Sequence, residues 1–385
     1  MSAPAARAQA PLAGTENQPH ARLVLGAALG PRAEPSHAYL FHGPAGTGKR
    51  TAAAALAAEL LAESAPDAEG ARRRVLSGTH PDLTWVRPTG AHVMRVGDID
   101  EPVVAAAGRT PFESSRRVFV LERVDTMNDE VANRLLKTLE EPPAFVNLVL
   151  MSESLGRVIE TVVSRCQLVR FDPLPPERFA AALGREGVPD ERAAACGRLA
   201  LGNGERARLL ASEAGEALRA EVEHWILRLA GGEASSAGEE PWRALLARAE
   251  ARRVEAEGAV EEAARARLES EPAGRERRAF ERDFEEAAKR DGRRARTEVL
   301  DLGLTLATLL FRDLACLAAG ADAAVLAVDR VVRLAQLAPR LDELAARAAA
   351  ERCEQTRASL ELNVGEELAL TALDIELRRV VGRPA

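Results

Sequence analysis

Short apolar runs recur between residues 39 and 171, and the small and polar positions around them mark where each run stops. Tyr39-Leu40-Phe41-His42 ends at Gly43-Pro44, and beyond it Ala52 to Leu61 is dense in alanine and leucine. A short apolar run, a glycine-rich break and a longer apolar segment predict strand, loop and buried helix. Leu83-Thr84-Trp85-Val86, Val118-Phe119-Val120-Leu121, Asn147-Leu148-Val149-Leu150 and Leu168-Val169-Arg170-Phe171 predict four more strands, with helix-like stretches between them. Strands alternating with helices predict an α/β domain whose parallel sheet is covered on both faces.

The texture changes after Phe171. Pro173, Pro175 and Pro176 form a linker, and the chain beyond them reads as helix throughout. The predicted order is a tail and leading helix (1–36, the helix near Ala21 to Leu29), the α/β domain (37–172), a small helical domain (173–212) and a larger helical domain (213–385). Within the last, Trp242 to Leu268 and Arg275 to about Leu314 are rich in Ala, Arg and Glu and are separated by Glu271-Pro272-Ala273-Gly274, which predicts a helical hairpin over about 242–314. Phe280 and Phe284 stand four apart and share one face, with Arg and Glu on the other. A solvated helix pair is the simpler reading and a partner-binding arm the alternative.

Composition narrows the function classes. The 385 residues are enough for two or three domains. A formal charge of −7, with 29% charged residues, argues against nucleic-acid binding by bulk charge, so any DNA contact is local. Cys166, Cys196, Cys316 and Cys353 stand singly, without the paired spacing of a zinc site or disulfide framework, and fit a reducing, cytoplasmic setting. No stretch has the roughly 18 apolar residues of a membrane span, and the start lacks the charged and apolar regions of a secretion signal, so no membrane is expected as a partner.

The candidate chemistry begins at Gly43-Pro44-Ala45-Gly46-Thr47-Gly48-Lys49-Arg50-Thr51, between a predicted strand and a predicted helix. In that context Gly43, Gly46 and Gly48 let backbone N–H groups close on phosphate oxygens, while the helix N-terminus and Lys49 supply positive charge. The residue after the lysine should carry a hydroxyl for magnesium, yet Arg50 stands there and Thr51 comes one place later, about 100° round the helix. The matching second strand, Val118 to Leu121, leads to Glu122 as the magnesium-side acid. Arg123 stands where a water-activating carboxylate is needed, and a guanidinium cannot accept a proton. ATP or ADP could be held by Gly43, Gly46, Gly48, Lys49, Thr51 and Glu122, with little turnover. The plainer reading is a tight strand-to-helix turn without a ligand.

Glu122-Arg123-Val124-Asp125-Thr126-Met127-Asn128, then Asn133-Arg134-Leu135-Leu136-Lys137-Thr138-Leu139-Glu140-Glu141-Pro142-Pro143, and finally Ser164-Arg165-Cys166 carry a resemblance to the bacterial clamp-loader AAA+ family of the DNA polymerase III holoenzyme. The resemblance runs strongly from about Ser36 to Phe171, more weakly to about Leu210, and thinly beyond. Leu309-Leu310-Phe311-Arg312-Asp313 and Leu362-Asn363-Val364 look like pieces of the family's collar. It implies a P-loop AAA+ domain, a helical lid and an all-α collar, in a member with weak turnover; an active gamma- or tau-type ATPase is the alternative. Arg165 matches the arginine finger that points into a neighbouring subunit's ATP site, where it stabilises charge building up on the transferring phosphoryl group. The plainer role for Arg165 is pairing with a surface acid.

Arg206, in Gly202-Asn203-Gly204-Glu205-Arg206-Ala207, matches the lid arginine that reaches toward nucleotide, with a solvated helix-start arginine as the plainer role. Ser152 stands where the family keeps a phosphate-sensing polar residue, with a loop cap as its plainer role. The implied partners are gamma/tau-type ATPase subunits and a delta subunit, and through the complex a sliding clamp and primed DNA. Relatives often carry a zinc-binding cysteine cluster before the segment matching His80-Pro81-Asp82-Leu83. Residues 62–79 hold no cysteine, so no metal is expected there. A third reading is a stand-alone helical adaptor acting through the charged hairpin.

Overall fold

The computed structural model describes residues 12–30, 34–90, 93–230, 240–268, 275–360 and 364–381. The chain forms two compact units, Met1–Pro175 with Gly202–Gly204, and Pro176–Leu201 with Glu205–Ala385. The first unit is the α/β domain, and most of the helices expected in lid and collar fall together in the second.

In chain order the first unit contains α1 (Pro19–Ala28), β1 (Ala38–His42), α2 (Lys49–Ala62), α3 (Ala68–Leu76), β2 (Leu83–Val86), β3 (Arg117–Leu121), α4 (Asp129–Glu140), β4 (Val146–Ser152), α5 (Glu160–Val163) and β5 (Gln167–Arg170). The strands form one sheet in the order β2-β3-β4-β1-β5, and every pairing is parallel. Successive strand residues point to opposite faces, so each run feeds two cores. Leu40, Phe119, Leu121, Leu148 and Leu150 meet Val131, Ala132, Leu135 and Leu139 of α4 on one face. Tyr39, Phe41, Val118, Val120, Val149 and Met151 meet Ala53, Leu56, Ala57, Leu60 and Leu61 of α2 on the other. Covering both faces makes the inner strands β1, β3 and β4 largely apolar, which is what exposed them in the sequence.

Two loops of this unit are set by single polar side chains. Asn128 caps α4 by accepting from the N–H of Val131 at 3.0 Å. Asp82, 1% exposed, accepts from the N–H groups of Phe112, Glu113 and Ser114 at 2.6, 2.9 and 2.9 Å, fixing the turn that leads into β3.

The second unit is helical. It comprises α6 (Pro176–Arg185), α7 (Asp190–Leu199), α8 (Gly204–Ala211), α9 (Glu213–Ala230), α10 (Arg243–Leu268), α11 (Arg275–Ala318), α12 (Val331–Leu337), α13 (Glu343–Leu360) and α14 (Glu366–Val381). A Cβ on Gly292 would meet Glu257 at 2.5 Å and one on Gly303 would meet Leu245 at 2.5 Å, so α10 and α11 run antiparallel at close approach. The predicted break at residues 271–274, the side chain of Phe280, and Leu362 and Asn363 lie outside the described residues. Phe284 is half-buried. Phe311 and Asp313 are fully buried, and the Asp313 carboxylate accepts from the N–H groups of Leu326 and Ala327. Trp225 joins α9 to α14 by donating to Asp374 at 2.8 Å. No helix among the described residues is long and apolar enough to cross a membrane.

The Asp82 turn makes a stability prediction. Replacing Asp82 with Ala leaves three turn N–H groups without their acceptor and should cost about 2–3 kcal/mol, with Asn costing less because its carbonyl still accepts. A urea midpoint for Asp82→Ala equal to that of the unsubstituted chain, at unchanged m, would contradict this.

Candidate functional site

The carboxyl end of β1 lies between β4 and β5, with His42 in register with Ser152 on one side and Arg170 on the other. This is the position in an open parallel sheet where a ligand crevice forms, because the chain leaves β1 and β4 for opposite edges. The phosphate loop follows at Gly43 and ends at α2, between strand and helix as the sequence predicts.

The loop's own groups are satisfied from inside the unit. Lys49, 8% exposed, donates from Nζ to the carbonyls of Gly43 at 2.5 Å and Pro44 at 2.6 Å. Gly48 has φ of 100°, and a Cβ there would stand 2.6 Å from the Gly14 carbonyl. Gly46 has φ of 69°, and its Cβ would fall 1.9 Å from Oδ1 of Asn203. Both positions therefore require glycine, for backbone conformation and for space. Gln18, 1% exposed, donates from Nε2 to the carbonyls of Thr47 and Asp172 and accepts from the Asp172 N–H. The N–H of Gly204 donates to the Gly46 carbonyl at 3.1 Å. Residues 14–18 and 202–204 thus clasp the loop from two directions.

Arg50, which the sequence presents as a departure, and Glu122, which it presents as the retained magnesium-side acid, meet. Arg50 donates from Nε to Oε1 of Glu122 at 3.1 Å and from Nη2 to Oε2 at 2.6 Å, a two-pronged pair. Trp85 Nε1 and Arg87 Nε add bonds to Oε1 at 2.6 and 3.1 Å. Burial acts to raise the Glu122 pKa. The Arg50 hydrogen bond and charge, then Trp85 and Arg87, outweigh it and hold the carboxyl below its ordinary value. Thr51 is exposed on the first turn of α2 and does not replace the missing hydroxyl. Arg123 takes a left-handed backbone conformation, φ 55° and ψ 46°, where its carbonyl accepts from Thr126. Lys49 is engaged with carbonyls of its own loop, and the donor set does not fit a magnesium ion, since a guanidinium already fills the carboxylate's face.

Ser152, 1% exposed, accepts from the Ser154 N–H at 3.1 Å, the loop-cap role. Arg206 is half-buried in the first turn of α8, in the second unit. Arg165 lies after α5 and before the edge strand β5. Its Nη1 donates to the Thr161 carbonyl at 2.8 Å, and its Nη2 reaches Oε1 of Glu140 at 2.5 Å. In this chain Arg165 therefore does pair with a surface acid. Burial pushes the neighbouring Cys166 thiol up to about 12, so it anchors the segment by packing and takes no part in thiolate chemistry. Gln18, Trp85, Arg87, Glu140 and Asn203 join the site without having been candidates from sequence. Glu140 and Asn203 lie within the family-like motifs and Trp85 within a predicted strand, while Gln18 and Arg87 carry no local signal.

A phosphate loop at the end of β1, followed by a buried acid at the end of β3 and an arginine before β5, defines a P-loop nucleotide-binding type of domain. Residues 30–175 match the family described as DNA polymerase III, delta subunit. The chain is 37% identical over 157 residues to DNA polymerase III subunit delta prime of Bacillus subtilis, covering 40% of this chain and 47% of that protein. To the same subunit of Pseudomonas aeruginosa it is 38% identical over 174 residues, covering 43% and 52%. The tau subunit of Bacillus subtilis is 34% identical over 143 residues, covering 36% and 24%. A DNA polymerase III gamma subunit-related protein of Thermotoga maritima of known structure aligns over 94% of this chain and 98% of that one, at 16% identity and a TM-score of 0.43. The α/β domain is thus similar to the bacterial clamp-loader family and most like delta prime. The chain spans about half the length of the curated delta prime relatives it matches.

The Glu122 cluster has a pH signature. A carboxyl whose folded pKa is depressed contributes stability that is fully present above its unfolded value, about 4.3, and lost as pH falls through the folded value. Unfolding free energy should therefore fall more steeply on acidification below about pH 5 for the unsubstituted chain than for Glu122→Gln. Parallel curves in chemical denaturation at a series of pH values would contradict the assignment.

Proposed function

We infer that this chain is a delta prime-like clamp-loader subunit that contributes Arg165 to a neighbouring subunit's ATP site while turning over little ATP itself. The observation that carries the second half is the Arg50–Glu122 pair. Efficient hydrolysis needs a metal between a hydroxyl and an acid and a base for water; the corresponding positions hold Arg50, Glu122 and Arg123, with the first two joined. The first half is supported by the match of residues 30–175 and by the position of Arg165 at the rim of the sheet on a half-exposed turn. ATP or ADP, where it enters the loop, is held by Lys49 and the loop amides without turnover, and no zinc is called for. The partners are gamma/tau-type ATPase subunits and a delta subunit, and the assembled complex acts on a sliding clamp and primed DNA.

Two measurements test this. In a reconstituted complex, Arg165→Ala should slow single-turnover hydrolysis at the served site by about 10³-fold or more, in line with arginine fingers elsewhere; an unchanged rate would remove Arg165 from the mechanism. The isolated chain should show no magnesium-dependent ATP turnover, and Arg50→Thr alone should not restore it, because Arg123 still cannot take a proton from water. Brisk turnover by the isolated chain would favour the gamma/tau-type motor instead.

A further inference from the structure

Two of the first unit's arginine–carboxylate pairs are built to opposite specifications. Arg50 grips Glu122 with two nitrogens on two oxygens, and the carboxylate is 6% exposed. Arg165 touches Glu140 through one nitrogen and one oxygen, with the two side chains 33% and 47% exposed. A pair of the second kind is screened by water and contributes little to stability, so it opens and closes readily. Its location is unusual in one respect. Glu140 is the last residue of α4, at the helix end where aligned carbonyls disfavour a negative charge and favour a positive one. A carboxylate there is best tolerated when a cation sits on it, and Arg165 is that cation.

We propose that Glu140 is a positioning residue that parks Arg165 against the end of α4 until a phosphate chain on the adjoining subunit competes for it. This deepens the arginine-finger reading and rests on it. The competition is favourable because a nucleotide polyphosphate offers several charged oxygens to a guanidinium, whereas Glu140 offers one contact of the two available to a fork. Parking also sets the finger's resting direction. Nη1 donates to the Thr161 carbonyl and to Ser164 Oγ, so one side of the guanidinium stays on its own turn while Nη2 exchanges partners. Freed of Glu140, the finger samples the neighbouring site more often in the absence of clamp and DNA. The basal rate then rises while the stimulated rate, reached with the finger already transferred, stays where it was.

The test uses the clamp loader reconstituted from this chain with its gamma/tau-type ATPase and delta partners, and single-turnover ATP hydrolysis with and without clamp and primed DNA. Glu140→Gln should raise the basal rate about two- to five-fold, the scale of an exposed ion pair, and leave the stimulated rate within about twofold. Glu140→Asp should behave like the unsubstituted chain, and Arg165→Ala/Glu140→Gln like Arg165→Ala alone. A basal rate unmoved by Glu140→Gln, or both rates lowered by it, overturns the parking role while a slow Arg165→Ala complex keeps the finger. A full-speed Arg165→Ala complex overturns the finger itself.

Discussion

A carboxylate at the end of β3 is taken almost wholly out of water, and fixed cations and donors must compensate it. Glu122 is 4% exposed. Burying an unpaired carboxylate costs several kcal/mol after relaxation, and only excellent geometry with further hydrogen bonds offsets that. Arg50 supplies the geometry, Trp85 and Arg87 the remaining bonds. Because these residues come from α2, β2 and the segment after β2, the same carboxylate ties the phosphate loop's helix to two strands. The loop is held in one arrangement by this pair, by Lys49 folded back on Gly43 and Pro44, and by Gln18 and Asn203 on either side.

The fold was legible where burial leaves a mark on consecutive residues. The three inner strands stood out because both sheet faces are covered there, and the edge strands β2 and β5 by shorter apolar runs; β4 runs on to Ser152, past the predicted end at Leu150, because its central place keeps even a serine dry. The glycine spacing and Lys49 were legible because phosphate chemistry restricts them. Arg50 read as a defect and Glu122 as an intact acid, and their complementary charges were not joined in the sequence because 72 residues separate them. Their meeting depends on strand order, with β3 separated from β1 only by β4. Asp82 and Gln18 carried no signal, because their partners are backbone N–H and C=O groups, which nearly every residue possesses. Glu140 lies inside a family-like motif, but its closeness to Arg165 is a tertiary fact.

The second unit shows how charge and small residues cooperate without a strong amphipathic pattern. α11 has 44 residues, roughly 66 Å of helix, and approaches α10 closely at Gly292 and Gly303. Along the pair, Arg253 bonds Glu250 and Glu257, while Arg296 reaches both Glu250 and Glu366 of α14. Exposed pairs of this kind add little singly, and networks with shared members add more. The apolar anchoring comes at the other end of α11, where Leu304, Phe311 and Leu314 are buried. The charged stretch therefore extends a helix whose apolar anchoring lies at its other end.

A bound magnesium ion arrives and leaves with nucleotide, so a site that uses one has two states whose balance a ligand can shift. A guanidinium attached to the chain does neither. Arg50 is covalently part of the chain and permanently charged, so Glu122 offers no cation that binds and leaves to shift an equilibrium. Under the role proposed for Arg165, the capacity to respond lies outside the loop, in a guanidinium held loosely at the end of α4. The buried pair must be tight, since an unmatched Glu122 is costly. The Arg165–Glu140 pair is exposed and single-pronged, which is the looseness that the finger role proposed for Arg165 requires.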